Sequence, residues 1–275
     1  MAPVLLSKSL CAHVRASRKP PHARLETLLI HFYYYFGSIF ATVIVGPEER
    51  RFVVHEAILN HHSKFFRKAF TGEFEEAKSK TIKLAEDSII TFEFFVHWLY
   101  FQRLPNPDMH DDPELVKQFM NSKSGANTPS RSQVARLFVF GDKYDVPELR
   151  KAAIDHMFKT IVQPDGQLPP FHVIDHAFAY LPEESPMCRL FVDSYFQYEE
   201  LEINRAQCTN TAFMRAMWER YARFHCTYER KKASIKLCDY HEHATAEERK
   251  VCEEHIAACK KAWGVFKAAS TQPQE

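Results

Sequence analysis

Residues 51–84 constrain the fold of this chain more than any other stretch. β-Branched residues at strand spacing open the segment at 52–55, and apolar residues alternate with polar ones at 81–84, so both ends are predicted to be strands. Between them, one short helix is predicted to end at Gly72 in the left-handed conformation. Its apolar residues are Ala57, Leu59, Phe65, Phe66, Ala69 and Phe70. Because a short helix cannot leave that much aromatic surface in water, we expect the rest of the chain to cover it.

The composition indicates a helix-rich intracellular protein. The sequence of 275 residues contains 23 Phe and only 7 Gly, which favours helices with heavy aromatic packing over a β-sandwich with many turns. A formal net charge of +1 argues against a protein whose main task is to bind nucleic acid. Seven scattered cysteines without a signal peptide indicate reduced thiols. No apolar run approaches the roughly 20 residues of a membrane helix, so we expect a soluble protein of the cytoplasm, the nucleus or both.

Three regions can be distinguished along the chain. Residues 1–37 form a basic extension whose first carboxylate is Glu26, and we expect this extension to be disordered or to reflect an incorrectly predicted start of the coding sequence. Its composition is also typical of a mitochondrial transit peptide, which the Pro20-Pro21 pair argues against. Residues 38–162 form the first domain, with an exposed insertion at 106–131. A Pro-rich boundary at 163–170 opens an all-helical C-terminal region at 163–275.

Periodicity and capping residues predict the other elements. A nearly continuous apolar run at 39–46 indicates a strand that is covered on both faces. Asp87 or Ser88 is expected to cap the helix after 81–84. Further helices are predicted near 114–120, from about 132, from Pro147, and at 171–180, 186–199, 211–228 and 245–267. Thr245 and Glu248 have the spacing of a capping box at the start of the last helix.

The order and spacing of several motifs resemble the signature of the BTB/POZ domain. The matching residues are His55-x-Ala57-x-Leu59, Ser63-x-x-Phe66, Ala69-Phe70 and Gly72-x-Phe74-x-Glu76, preceded by the strand at 42–46. Residues 140–149 also resemble the helix pair that ends the domain in many fungal BTB-only proteins. The resemblance spans about 38–160. It implies an α+β fold, a small mixed sheet with a cluster of helices, followed here by the all-helical region, and a role in protein–protein interaction.

Phe74, Glu75 and Glu76 are the candidate partner-binding residues. They resemble the hydrophobic-x-Glu motif by which many BTB domains contact a cullin scaffold, and the resemblance implies a substrate adaptor of a cullin-RING ubiquitin ligase. An exposed apolar anchor and an orienting carboxylate suit such docking. The alternative is that Phe74 folds back onto its own domain beside a solvated turn. Because no Kelch or MATH substrate domain is visible, the adaptor interpretation is weakened and plain protein binding is the better supported of the two.

Two positions differ from the dimeric BTB transcription factors that this segment resembles. Those proteins build a charged pocket from an Asp ahead of the first strand and a basic residue after the signature His. The corresponding positions here are Ile39 and Glu56, so we do not expect the co-repressor recruitment associated with that pocket. The region before Ser38 lacks the helix and strand that those proteins exchange, which also argues against a homodimer.

The sequence contains no motif of a catalytic or cofactor site. There is no Gly-rich phosphate loop and no nucleophile elbow. His55-Glu56 could begin a zinc-protease motif, but position 59 is Leu where the second His is required. We therefore expect a protein that is not an enzyme and that needs no cofactor.

A zinc-binding regulatory or transcription-associated protein is the alternative function. The candidate ligands are Cys238, His241, Cys252 and His255. Cys252, His255 and Cys259 share one face of a predicted helix, and a hairpin could bring the first two candidates towards them. Such a stripe is also typical of a helix packing surface, and the spacing matches no common zinc module. The favoured prediction is therefore no metal site.

Overall fold

The structure is a computed structural model, and it describes residues 39–120, 130–163, 167–198, 209–222 and 235–270. Residues 38–242 belong to one compact unit, and residues 243–270 belong to a second. The chain therefore divides after Glu242, whereas the Pro-rich composition predicts a boundary at 163–170. The basic extension at 1–37 lies outside the described residues.

A mixed sheet of three strands confirms all three strand predictions. The strands are β1 (Phe40–Val45), β2 (Arg50–His55) and β3 (Thr81–Leu84), in the order β2-β1-β3. β2 runs antiparallel to β1, with Phe40 opposite His55, and β3 runs parallel to β1, with Thr42 opposite Thr81. The turn after β1 begins at Gly46, whose φ of 74° suits glycine. One face of the sheet is buried through Ala41, Val43, Val45, Val54, Ile82 and Leu84.

Eleven α-helices lie within the described residues. They are α1 (Glu56–His62), α2 (Lys64–Thr71), α3 (Glu75–Ser79), α4 (Ile89–Phe101), α5 (Pro113–Phe119), α6 (Arg131–Lys143), α7 (Pro147–Val162), α8 (Phe171–Tyr180), α9 (Pro186–Tyr198), α10 (Thr211–Ala222) and α11 (Ala246–Ser270). Short 3-10 turns lie at Pro107–Met109 and Leu237–Tyr240. Of the helices described, only α11 belongs to the second unit. The α+β class and the helix-rich character predicted from the sequence are confirmed.

The prediction of one helix between β2 and β3 is wrong, because Ser63 interrupts it. Ser63 is buried and extended (φ −127°, ψ 123°), and it separates α1 from α2. Its hydroxyl donates to the Tyr144 carbonyl at 2.6 Å and accepts the Phe66 N–H at 3.0 Å. A serine with both partners satisfied as a helix cap is more favourable there than one in a continuous helix.

Gly72 ends α2 without the predicted left-handed conformation. Its φ is −79°, so the expectation of a left-handed stop is wrong. A Cβ at this position would lie 2.7 Å from the Lys68 carbonyl oxygen, which only glycine avoids. The left-handed residue is instead Lys80, with φ 50°, at the end of α3.

Aromatic side chains from α2, α4 and α6 form the core beneath the sheet. Phe66 is completely buried, and its ring centroid lies 6.2 Å from that of Phe95 and 5.6 Å from that of Tyr144. Phe95 in turn contacts Phe140 at 4.9 Å. The expectation that the rest of the chain covers the aromatic helix is met for Phe66 and Phe70. It is wrong for Phe65, which remains 38% exposed.

The expected exposed insertion at 106–131 is wrong for its central part. α5 is capped by Asp112, and Phe119 is completely buried against Phe94 at 5.0 Å between ring centroids. The Asp111 carboxylate accepts two hydrogen bonds from Arg103 and one from the Asn106 N–H at 2.9 Å. These contacts fasten the segment to α4. Residues 121–129 lie outside the described residues.

Helices α8 to α10 continue the first unit beyond the predicted boundary. The Tyr195 hydroxyl donates to the Pro169 carbonyl at 2.6 Å, and Arg131 donates to the Leu168 carbonyl at 3.0 Å. The Pro-rich stretch is therefore held by helices on both sides of it. Asn210 caps α10 by accepting the Phe213 N–H at 2.8 Å.

The predicted capping box of α11 is confirmed for Thr245, whereas the Glu248 side chain bonds one residue before the cap. The Thr245 hydroxyl accepts the Glu248 N–H at 3.1 Å, and the Glu248 carboxylate accepts the Ala244 N–H at 2.8 Å. Both bonds satisfy backbone donors at the start of the helix.

We predict that Ser63→Ala lowers the free energy of unfolding by about 2 kcal/mol, because it removes a buried cap and leaves the Tyr144 carbonyl without this donor. Urea denaturation measures the change. Ser79→Ala is the control, because Ser79 is exposed and donates only to the Glu75 carbonyl. Equal effects of the two substitutions would contradict the prediction.

We predict an acid-dependent loss of stability from the buried His97. Burial lowers the pKa of His97 to about 4, although Asp111 at 3.4 Å opposes this effect. The unfolded chain therefore binds more protons than the folded chain between about pH 6.5 and 4. Stability is complete above that window and falls through it, by roughly 3 kcal/mol for this residue. Burial lowers the pKa of His156 to about 4 as well, so His156 adds to the loss of stability over the same pH range.

Urea denaturation of His97→Leu between pH 7 and 4 measures this contribution. The variant should lose a large part of the pH dependence. His172→Leu, at an exposed position, is the control. If the free energy of unfolding of His97→Leu depends on pH as steeply as that of the wild type, His97 does not make this contribution.

Candidate functional site

The predicted partner-binding residues lie together on the surface at the start of α3. Phe74 immediately precedes the helix and is 64% exposed. Glu75 is exposed, Glu76 is half-buried, and α3 contains no buried residue. The alternative interpretation, in which Phe74 folds back onto its own domain, does not fit this exposure. An apolar ring beside two carboxylates is therefore available to a partner.

Gly72 and the first turn of α3 set the local geometry of this segment. A Cβ at Gly72 would lie 3.1 Å from the Phe74 ring, so the absence of a side chain lets the ring lie close to the backbone. The Phe74 carbonyl accepts the Ala77 N–H at 3.1 Å, which begins the helix. Two glutamates in the first turn suit the positive end of the helix dipole.

Lys80 ends the segment, and no sequence motif marks it. Its ammonium donates to the Glu56 carboxylate at 2.9 Å and to the Phe70 carbonyl at 3.0 Å. Its carbonyl accepts the Thr42 N–H at 2.8 Å, next to the pairing of β1 with β3. The partners lie 24 and 10 residues away in sequence, so no short motif indicates them.

The positions that differ from dimeric BTB transcription factors have other surroundings here. Ile39 is exposed just before β1. Glu56 is buried and bound to Lys80, so its charge is compensated within the chain. His55, the neighbouring signature residue, accepts or donates through Nδ1 to the Tyr100 hydroxyl at 2.8 Å. His55 and Glu56 thus have separate structural partners.

The zinc candidates are divided between the two units. Cys238 is buried in the 3-10 turn of the first unit, and the His241 Nε2 lies 2.7 Å from the Asp155 carboxylate. Cys252 and His255 lie on α11 in the second unit. The structure brings the His255 Nε2 within 3.6 Å of the Cys259 Sγ, one helical turn apart. This proximity agrees with the predicted shared helix face.

None of the helices in the described parts of the chain has the length and apolar character needed to cross a membrane.

Comparison with known proteins assigns the amino-terminal part of the first unit to a domain family. The BTB/POZ domain model matches residues 37–160. Kelch repeat and BTB domain-containing protein 4 is 28% identical over 132 residues in both Homo sapiens and Mus musculus. The match covers 45% of this chain and 24% of those proteins, so the chain spans about a quarter of the length of the curated relatives it matches.

A solved structure of the BTB domain of human gigaxonin also matches. It has 15% sequence identity and a TM-score of 0.31, and the match covers 51% of this chain and 94% of that one. The narrower resemblance to fungal BTB-only proteins stays a prediction. From the family-model match, residues 37–160 of this chain form a BTB/POZ domain.

Proposed function

We propose that this protein is a substrate adaptor of a cullin-RING ubiquitin ligase, with Phe74 and Glu76 in contact with the cullin scaffold. The BTB domain is a protein–protein interaction module, and such domains are typically not enzymes. The observation that supports the narrower proposal is the exposure of Phe74 beside Glu75 and Glu76.

The chemistry of the segment suits docking to another protein. Burying an exposed phenylalanine ring in a partner pocket contributes about 1.5–3 kcal/mol, which is the size of a binding hot spot. The adjacent carboxylates would add orientation and faster association with a basic partner surface. Since α3 has no buried residue, these groups can contact a partner without rearranging the core.

In this proposal the helices after the BTB domain extend the scaffold contact or bind the substrate. The clearest candidate is α10, where Trp218 is 75% exposed while Phe213 and Met217 are buried. Sequence periodicity predicts one apolar face with Phe213, Met214, Met217, Trp218 and Tyr221. Tryptophan is the residue type most enriched at binding hot spots. We propose a protein partner in the cytoplasm or nucleus, and no nucleic acid.

Neither a homodimer nor the co-repressor recruitment of the dimeric transcription factors is part of the proposal. Glu56 is bound to Lys80 inside the chain, and Ile39 has no charge, so neither position supplies the charged pocket of the dimeric transcription factors.

A zinc-binding regulatory protein is the second proposal. The observation in its favour is the 3.6 Å distance between the His255 Nε2 and the Cys259 Sγ, since imidazole and thiolate are the preferred zinc ligands. Cys252 on the same helix is a further candidate, and Cys238 and His241 stay candidates from the sequence alone.

We predict that Phe74→Ala with Glu76→Ala leaves the fold intact and reduces cullin retrieval from lysate by at least about tenfold, because the variant removes the anchor and its carboxylate. Affinity purification with quantitative mass spectrometry measures the retrieval. Ile90→Ala with Glu86→Ala is the matched control, since it removes an exposed apolar residue and an exposed glutamate from another surface. If the wild-type protein retrieves no cullin, the adaptor proposal fails.

The zinc proposal predicts about one zinc ion per purified chain, lost in both His255→Ala and Cys259→Ser. Elemental analysis by inductively coupled plasma mass spectrometry measures the content. Cys188→Ser is the control, because Cys188 is not among the candidate ligands. Wild-type protein that contains no zinc after purification without chelators contradicts this second function.

A further inference from the structure

The segment that presents Phe74 and Glu76 has no anchor of its own in the core. Of residues 71–79, none is buried, and only Glu76 and Ala77 are half-buried. The segment leaves the core at Phe70, which is buried, and returns to the sheet at Thr81. Its arrangement therefore depends on contacts at its two ends.

Lys80 joins the two ends of this segment. Its ammonium donates to the Phe70 carbonyl at 3.0 Å, so residues 70 and 80 are connected across the segment. The Phe70 carbonyl belongs to the last turn of α2, where carbonyl groups lack helical partners and a cation is favourable. The same ammonium is held by the Glu56 carboxylate at 2.9 Å.

The backbone of Lys80 is equally constrained. Its φ of 50° and ψ of 33° lie in the left-handed region, which a non-glycine residue rarely adopts. This conformation ends α3 and turns the chain into β3, and the hydrogen bond from the Thr42 N–H to the Lys80 carbonyl fixes it at 2.8 Å. Hydrogen bonds therefore hold both the side chain and the backbone of Lys80.

We infer that Lys80 is a positioning residue, whose bonds to the Phe70 carbonyl and to Glu56 hold residues 71–79 in the arrangement that presents Phe74 and Glu76. The inference rests on the proposed function, in which those two residues contact a cullin. A segment held in advance loses less conformational entropy on binding, so its affinity is higher. Lys80 itself need not touch the partner.

Hydrogen exchange of the free, full-length protein tests the holding role without any partner. In Lys80→Met, amides of residues 71–79 should exchange about tenfold faster than in the wild type, because the connection to Phe70 is lost. Amides of β1 serve as the reference for global unfolding. Lys83→Met is the matched control, since Lys83 is on the adjacent strand and pairs with the exposed Glu49 at 3.1 Å.

Two further variants separate this role from a general loss of stability. Glu56→Gln with Lys80→Met removes both charges, so it avoids an uncompensated buried carboxylate and should still show fast exchange in 71–79. Lys80→Arg retains donors for both oxygens and should keep slow exchange. The inference is overturned if the amides of residues 71–79 exchange at the wild-type rate in Lys80→Met and in Glu56→Gln with Lys80→Met. This outcome does not depend on which partner the protein binds.

Affinity for a purified cullin amino-terminal domain tests the link to binding. Lys80→Met should weaken the affinity roughly fivefold to tenfold, and it should cause no further loss in a Phe74→Ala background. An unchanged affinity in Lys80→Met overturns the positioning role. If the wild type does not bind the cullin but residues 71–79 exchange faster in Lys80→Met, the proposed function fails while the holding role of Lys80 stands.

Discussion

The burial of Phe66 is the interaction on which the first unit depends. Its ring is enclosed by Phe70 of the same helix, by Phe95 of α4 and by Tyr144 at the end of α6. Each such aromatic side chain contributes about 1.5–3 kcal/mol on burial, so the cluster outweighs any single polar contact in this region. Ser63, three residues earlier, ties the start of the same helix to the Tyr144 carbonyl. The helix is therefore fixed both by its core face and by its first turn.

The strands and most helices could be predicted because their causes are local. Period-two alternation identified β3, and the Thr245–Glu248 spacing identified the start of α11. The break at Ser63 could not be predicted, because the carbonyl that its hydroxyl binds lies 81 residues away. The Phe74–Glu76 segment was recognisable as a motif, whereas Lys80 was not, since its role follows from contacts with Glu56 and Phe70 that only the folded chain brings together.

The surface around Phe74 shows how one short segment would meet the opposing requirements of the proposed binding role. A binding residue must remain accessible to solvent, whereas an ordered backbone normally requires buried side chains. Here the side chains of α3 stay at the surface, and order is supplied at the flanks by Gly72, which is close to the Lys68 carbonyl, and by Lys80. The Glu56–Lys80 pair also compensates the charge of the buried Glu56 carboxylate. A buried carboxylate without a cation would lower the stability of the fold.

The bond between Ser63 and Tyr144 also has a consequence for biosynthesis. The sheet and α2 are complete in sequence by residue 84, but Tyr144, whose ring packs against Phe66, is translated some 60 residues later. At about 5–20 residues per second, the ribosome needs several seconds for that interval. During this time Phe66 lacks the Tyr144 ring that packs against it in the folded domain, so its helix emerges before its core contacts are complete.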